Sequence, residues 1–176
     1  VENGERYGIR FMDEDGREKH PIILHCSPSG AIERDIYALL EKADMDMQKG
    51  ARPMLPLWLA PTHVRLIPVS ENHVRLAEGY AKKMNRSRIR ADIDDRSETV
   101  QKKIRDAERE WIPYIVVLGD KEVGAEKVPV RVREDGKLHQ MPLKELASEI
   151  KNRVKGKPYR PLPMPMSVQK RPRLVG

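Results

Sequence analysis

The run Tyr114-Ile115-Val116-Val117-Leu118 is five apolar residues in succession, closed by Gly119-Asp120-Lys121-Glu122. An uninterrupted apolar run bounded by turn residues reads as a sheet strand. On its N-terminal side, Val100, Ile104 and Ala107 recur at helical spacing and predict a helix over Thr99 to Glu110. Before that come a strand at Ile89 to Ile93, a helix at Glu71 to Met84 with Val74, Ala77, Ala81 and Met84 inward, and a strand at Val64 to Val69. On the C-terminal side, strands at Val128 to Arg133 and Leu138 to Met141 flank Glu134-Asp135-Gly136-Lys137, whose Asp-Gly step favours a hairpin turn. A last helix, about Leu143 to Val154, buries Leu143, Leu146, Ile150 and Val154. The order βαβαββα implies an α/β fold: a mixed sheet of five strands, mostly parallel, flanked by helices.

Upstream, Gly50-Ala51-Arg52-Pro53-Met54-Leu55-Pro56-Leu57 is a proline-punctuated connector and the expected domain boundary. The first fifty residues have their own plan. Tyr7 to Met12 and Pro21 to His25 read as two strands joined by the acidic glycine turn Asp13 to Arg17. Ser27-Pro28-Ser29-Gly30 then leads into a helix through about Gln48, with Ile32, Ile36, Leu39, Leu40, Ala43 and Met47 on one face; a serine there is expected to cap it. Two strands and one helix leave a sheet face exposed, so this segment is expected to be the end of a domain that begins elsewhere.

The chain has 176 residues, enough for a substantial core, and a net charge of +7. The charge is uneven. Lys151, Arg153, Lys155, Lys157, Arg160, Lys170, Arg171 and Arg173 are the basic residues after Ile150, with no acidic residue among them, leaving 26 basic and 27 acidic residues before them. A basic tail attracts phosphate, and five prolines make the segment after Gly156 extended. No apolar run approaches the ~20 residues of a membrane span, so a soluble, cytoplasmic protein without a membrane partner is expected. The single cysteine, Cys26, precludes an internal disulfide and reads as a small buried thiol.

The stretch His25-Cys26-Ser27-Pro28-Ser29-Gly30-Ala31-Ile32-Glu33-Arg34-Asp35 carries the densest chemistry. A helix that follows a tight turn presents free amides suited to an anion, and Arg34 adds a planar cation. This strand, turn and Glu33-Arg34 helix opening resemble motif 3 of the class II aminoacyl-tRNA synthetases. Pro56-Leu57-Trp58-Leu59-Ala60-Pro61 and Ile112-Pro113-Tyr114 through Gly119-Asp120-Lys121-Glu122-Val123 resemble the junction and core of a class IIa anticodon-binding domain. Within that class the resemblance is to the archaeal-type threonyl-tRNA synthetase family, and it extends through Pro158-Tyr159-Arg160-Pro161-Leu162-Pro163.

The resemblance implies specific roles. Arg34 would contact ATP as a catalytic cation, with Gly30 letting the backbone approach the nucleotide. His25 would be one of three ligands to a zinc ion that reads threonine's hydroxyl and so rejects valine; the other two lie upstream of this chain in the family pattern. Cys26 points away from His25 if the strand continues and is not taken as a ligand. Glu122 and Arg131 would read anticodon bases. Arg96 would stand in for a loop asparagine of bacterial members; the loop here is two residues longer and has no asparagine, and Ala31 replaces a bacterial serine. Lys102, Lys103, Arg105 and Arg109 form the expected basic face along the tRNA backbone.

The resemblance therefore divides the chain into residues 1–50, the end of a catalytic domain with motif 3; 51–60, a linker; 61–155, the anticodon-binding domain; and 156–176, a basic tail. The implied activity is a threonine–tRNA ligase, with threonine, ATP with Mg2+, Zn2+ and tRNA(Thr) as its ligands and a homodimer as its full-length state. This segment alone is expected to be inactive and to hold no cofactor tightly. The alternatives are a non-enzymatic tRNA-binding module or another class IIa enzyme, such as prolyl-tRNA synthetase.

Overall fold

A computed structural model describes residues 2–172. Of the tail cations, Arg173 lies outside the described residues. The chain divides into two compact units, Val1–Ala38 and Leu39–Gly176. The division falls inside a helix and not at the 51–60 connector, because the connector belongs to the second unit: Leu57 is buried in its core and Arg133 donates to the carbonyl of Pro53.

In the first unit a short helix α1 (Asn3–Arg6) precedes strands β1 (Phe11–Met12) and β2 (Glu18–Lys19). They pair antiparallel, Phe11 opposite Lys19, around the expected acidic turn, where Gly16 has a φ of 70° and its N–H donates to the Asp13 carbonyl at 2.8 Å. The second strand is Glu18–Lys19 and not Pro21 to His25. A turn this tight pairs the residues next to it, and Pro21 has no N–H with which to prolong the ladder. The structure places His25 and Cys26 on exposed chain outside any helix or strand, so the expectation of a buried thiol is corrected. Helix α2 (Ile32–Gln48) keeps the expected limits. Ser27 does not cap it: its hydroxyl donates to the Gly30 carbonyl at 3.1 Å. The C-terminus of α2 closes on Gly50, φ 88°, whose N–H donates to Met47.

In the second unit, β3 (Val64–Pro68), α3 (Val74–Arg86), β4 (Ala91–Ile93), α4 (Val100–Arg109), β5 (Tyr114–Leu118), β6 (Val128–Val132), β7 (Leu138–Met141) and α5 (Leu143–Arg153) follow the expected order. The sheet order is β4-β3-β5-β6-β7. The β3–β4 and β3–β5 ladders are parallel and the β5–β6 and β6–β7 ladders antiparallel, so the sheet is mixed in equal parts by ladder. Thr99 caps α4, its hydroxyl accepting from the Lys102 N–H.

Strand alternation sends side chains to two faces. Val64, Leu66, Ala91, Ile93, Tyr114, Val116, Leu118, Val128 and Val130 pack on Ala77, Ala81 and Met84 of α3 and Leu146 and Ile150 of α5. Fully burying each large side chain of this set contributes about 1.5–3 kcal/mol. On the other face Ile67 and Ile115 pack on Ala107 of α4. That face also carries Arg65 and Asp92, which are register partners on β3 and β4 and are fully buried. Asp92 accepts from Arg65 Nε (3.0 Å) and Nη2 (2.8 Å) and from the Thr62 hydroxyl (3.1 Å), while Arg65 Nη2 also donates to Glu110 at 2.8 Å. Burial works against the Arg65 charge, but the bonds to and charge of Asp92, with Glu110, outweigh it and raise its pKa.

The tail packs along the edge strand β4. Ile93 N–H donates to the Met166 carbonyl (2.8 Å), the Ser167 hydroxyl to Asp95 (2.6 Å), and Arg171 Nη2 to Asp92 (2.7 Å). An extended segment so placed covers unpaired edge groups. No helix among the described residues is long and apolar enough to cross a membrane.

His63, 1% exposed, faces the backbone N–H of Arg90 at 3.3 Å and its guanidinium at 2.6 Å. Burial, then the Arg90 charge, pushes the imidazole down to about 4. The unfolded chain therefore binds the proton first: this contribution, about 3 kcal/mol, is complete above the ordinary histidine pKa near 6.5 and is lost as pH falls from there toward 4. Urea unfolding at stepped pH should show a shallower fall over that window in His63→Gln than in the parent. Asp92→Ala leaves Arg65 charged and buried, so unfolding should show a loss of about 3–5 kcal/mol, much of it recovered when Arg65→Met and Asp92→Leu are combined.

Candidate nucleic-acid interface

The chain leaves β3 through α3 to reach β4 on one side, then crosses through α4 to β5 on the other side of β3. The β3–β5 border is thus the point where connections diverge, and in open α/β sheets the crevice beyond the strand C-termini there is where ligands bind. Two turns meet at this place. Ser70 Oγ lies 2.9 Å from His73 Nδ1, and His73 Nε2 lies 3.0 Å from Asp120 Oδ1, which joins the turn after β3 to the turn after β5. His73 is 5% exposed while the Asp120 side chain is fully exposed, so the bond ties a buried imidazole to the mouth of the crevice. Glu122 ends the braced turn. Its Oε2 accepts from the Gly119 N–H at 2.9 Å, which holds the carboxylate in one orientation at the mouth of the crevice.

Arg131 lies on β6 opposite Ile115 and beside Leu138 of β7, on the α4 face of the sheet. Its side chain is 39% exposed, with Glu108 at 3.7 Å as a loose partner. Arg52, Arg133 and Gly136 share its crevice. Arg133 is committed to carbonyls, donating to Pro53 and, at 2.6 Å, to Glu108, whereas the Arg131 guanidinium keeps donors for a ligand. Glu122 and Arg131 stand at different levels of the sheet, one beyond Leu118 and the other level with Ile115. Bases that met both would have to be spread apart, as unstacked loop bases are.

Other expected contacts are relocated. Arg96 donates to Asp94 (2.8 and 2.6 Å) and Asp106 (3.0 Å), and its pKa is raised, chiefly by the bond to Asp94. It anchors the loop before α4 and has no fork left for a base. Lys103 is 5% exposed and its ammonium reaches the Pro68 carbonyl at 3.5 Å. It therefore leaves the expected basic face, because position 103 turns toward the sheet with Ala107. Lys102 pairs with Glu98, and Arg105 and Arg109 stay exposed one turn apart.

In the first unit, Arg34 folds back over Gly30. Gly30 has a φ of 82°, and a Cβ there would lie 2.9 Å from Arg34 Nη1. The glycine thus makes room for the guanidinium. A zinc ion takes about four donors, and no group of three His, Cys, Asp or Glu residues able to hold a metal forms among the described residues. His25 supplies one donor, so these residues do not fit a zinc site by themselves.

The anticodon binding domain family matches residues 63–153, and the chain belongs to that family. Over its whole length it is 56% identical to the threonine–tRNA ligase of Pyrococcus horikoshii and 53% identical to that of Pyrococcus furiosus. It is also 50% identical over 175 residues to the threonine–tRNA ligase of Nitrosopumilus maritimus. The chain spans 28% of the length of these relatives. Among solved structures, the RNA binding domain of threonyl-tRNA synthetase from Cryptosporidium parvum Iowa II superposes with a TM-score of 0.58 at 24% identity, covering 85% of this chain and 36% of that one. Prolyl-tRNA synthetase from Cryptosporidium parvum gives 0.56 at 20% identity, over 86% of this chain and 32% of that one. These two likenesses establish the fold, a five-stranded mixed sheet flanked by helices.

The His73 brace and the buried Lys103 escaped sequence reading because each depends on a partner in another element, while Arg96 is held chiefly by Asp94, two positions earlier, and also by Asp106 of α4. Replacing Arg96 by Gln strips the fully buried Asp94 of its main partner and should lower unfolding stability by about 1–3 kcal/mol, a change that thermal or urea melts register without RNA.

Proposed function

We propose that this chain is the C-terminal part of a threonyl-tRNA synthetase, an enzyme that joins threonine to ATP, releases pyrophosphate and passes threonine to tRNA(Thr). The observation that carries this reading is the similarity to threonine–tRNA ligases over all 176 residues, running through the Gly30–Arg34 turn as well as the sheet. The geometry supports a division of labour. Glu122, oriented by its own turn, accepts from the exocyclic amino group of one anticodon base. Arg131, half-exposed with one loose partner, donates a paired contact to another. Arg105 and Arg109 follow phosphates without reading sequence.

In the first unit, Arg34 is a planar cation on the first turns of α2, packed over Gly30. That arrangement suits stacking on adenine and charge neutralisation at the phosphates of ATP with Mg2+, which would supply the adenylyl group as pyrophosphate leaves. His25 offers one imidazole to zinc, with the remaining ligands outside this chain. The apolar face of α2 is open, with Ile32 70%, Ile36 51% and Leu40 47% exposed, which supports a larger catalytic domain around it. A homodimeric, cytoplasmic enzyme follows from the same reading, in which residues 1–176 bind tRNA but do not charge it.

The test is binding of anticodon stem-loops to the 176-residue chain. A threonine anticodon is expected to bind more tightly than a proline anticodon, and equal affinity would favour a general module. Arg131→Ala should cost about 1–3 kcal/mol of that discrimination if the guanidinium reads a base; a loss shared equally by both RNAs would make it a phosphate contact.

A further inference from the structure

At the opposite end of the sheet from Glu122, a cavity of about 460 Å³ opens where α3 and α5 end and the connector and tail begin. Six cations line it, Arg86, Arg88, Arg90, Lys151, Lys155 and Lys157, and no Asp or Glu does. Among the described residues, none of the six forms an ion pair with a carboxylate. Elsewhere among the described residues of this unit, Arg65, Arg96 and Arg153 pair with acids, whereas exposed Arg105 and Arg109 and carbonyl-bound Arg133 do not; what sets the cavity apart is that six such cations share one lining.

Helix polarity explains part of this charge. The C-terminal ends of α3 and α5 face the cavity, and cations in a last turn offset the helix dipole. That accounts for Arg86 and Lys151. It does not account for Arg88, Lys155 and Lys157, which follow the helices, nor for Arg90, which is 5% exposed on the floor. Arg90 donates to the carbonyls of Ala60 (2.8 Å) and Trp58 (2.8 Å), neutral acceptors that leave its charge uncompensated. Burial lowers its pKa accordingly.

Arg88 adds an independent sign. Its φ is 62°, a left-handed conformation that favours glycine just after a helix, yet an arginine stands there. The strained backbone carries the guanidinium over the Tyr159 ring at 5.8 Å, and Lys157 lies 5.7 Å from the Trp58 ring across the same cavity. Each aromatic ring holds a cation at the rim. Trp111, φ 57°, holds the same conformation just after α4, and what distinguishes Arg88 is the aromatic ring under its guanidinium.

We propose that this cavity is a phosphate-binding site, distinct from the anticodon-reading crevice and independent of it. The ligand is a phosphate group, carried either by an RNA strand or by a free mononucleotide. Arg90 sets the positive floor, Arg86, Arg88 and Lys155 supply hydrogen-bond donors from the rim, and Ser87 adds a hydroxyl.

The test uses the 176-residue chain with inorganic phosphate, AMP and an octameric single-stranded oligoribonucleotide lacking any threonine anticodon. Phosphate and AMP should saturate a change in tryptophan fluorescence, since Trp58 lines the cavity. A mononucleotide as the ligand predicts AMP binding as tightly as the oligomer; an RNA strand predicts the oligomer binding about tenfold more tightly, with a salt slope near 0.7 per phosphate contact. Arg86→Glu with Lys155→Glu should abolish the fluorescence response and cut the salt slope by about 1.4. The control pair Lys82→Glu with Lys127→Glu, outside the cavity, has the same net charge and should not. Arg88→Gly relieves the backbone, so it should weaken AMP or oligomer binding about threefold or more while leaving Tm unchanged or higher. Arg131→Ala should leave AMP binding intact, which separates this site from anticodon reading. Equal losses in the two charge-reversal pairs, absence of saturation by all three probes, or Arg88→Gly binding as the parent does would overturn the proposal.

Discussion

The buried pair Arg65–Asp92 is the constraint on which the second unit depends. Its two members sit opposite each other on neighbouring parallel strands, with both side chains at 0% exposure. Charges so placed are tolerated when they are paired and hydrogen-bonded, and among the described buried side-chain atoms only Arg65 Nη1 is left without a partner. That requirement draws in Glu110 after α4, Thr62 from just before β3 and Arg171 from the tail, which converge with β3 and β4 on one carboxylate and one guanidinium. A pair of this kind contributes less net stability than an apolar pair of equal size. What it supplies is register: a shift of either strand by one residue would turn a charge into the apolar core beneath α3 and α5.

That register places the candidate surfaces. With β3 fixed between β4 and β5, the turns after β3 and β5 meet at the topological switch, and His73 and Asp120 join them there. The same order leaves the β6–β7 side to carry Arg131 and puts the ends of α3 and α5 together at the far edge, beside the connector and tail. The two ends of one sheet therefore differ in chemistry. One presents an oriented carboxylate, Glu122; the other gathers cations without acids, and Arg131, level with Ile115, lies away from the Glu122 end.

Much of this was legible in residue order. The unbroken run at 114–118, the 3.6-residue spacing of Ala77, Ala81 and Met84, and the Asp135-Gly136 turn gave each element within a few residues, because they report local periodicity and turn stereochemistry. Pro21 to His25 misled for a local reason too: apolar content suggested a strand, while the missing proline N–H and the tightness of the preceding turn moved the ladder to Glu18–Lys19. The family resemblance singled out Glu122 and Arg131 as candidates, but carried no information on the Gly119 N–H that orients Glu122 or on the His73–Asp120 bond beside it.

The sequence by itself determined the element order, the α/β class and the concentration of positive charge after Ile150, since these follow from composition and from interactions between residues a few positions apart. Tertiary structure alone decided which charges remain for a ligand. Lys103 and Arg96 look as solvated as Arg105 and Arg109 in the chain, yet one meets a carbonyl 35 positions away and the other two carboxylates. Asp92 finds its partners 27 and 79 positions off, and Arg90, without an acidic partner, becomes the floor of a cavity. A charged side chain is spent or available according to what folding places within about 3 Å of it, and that distance has no counterpart in linear spacing.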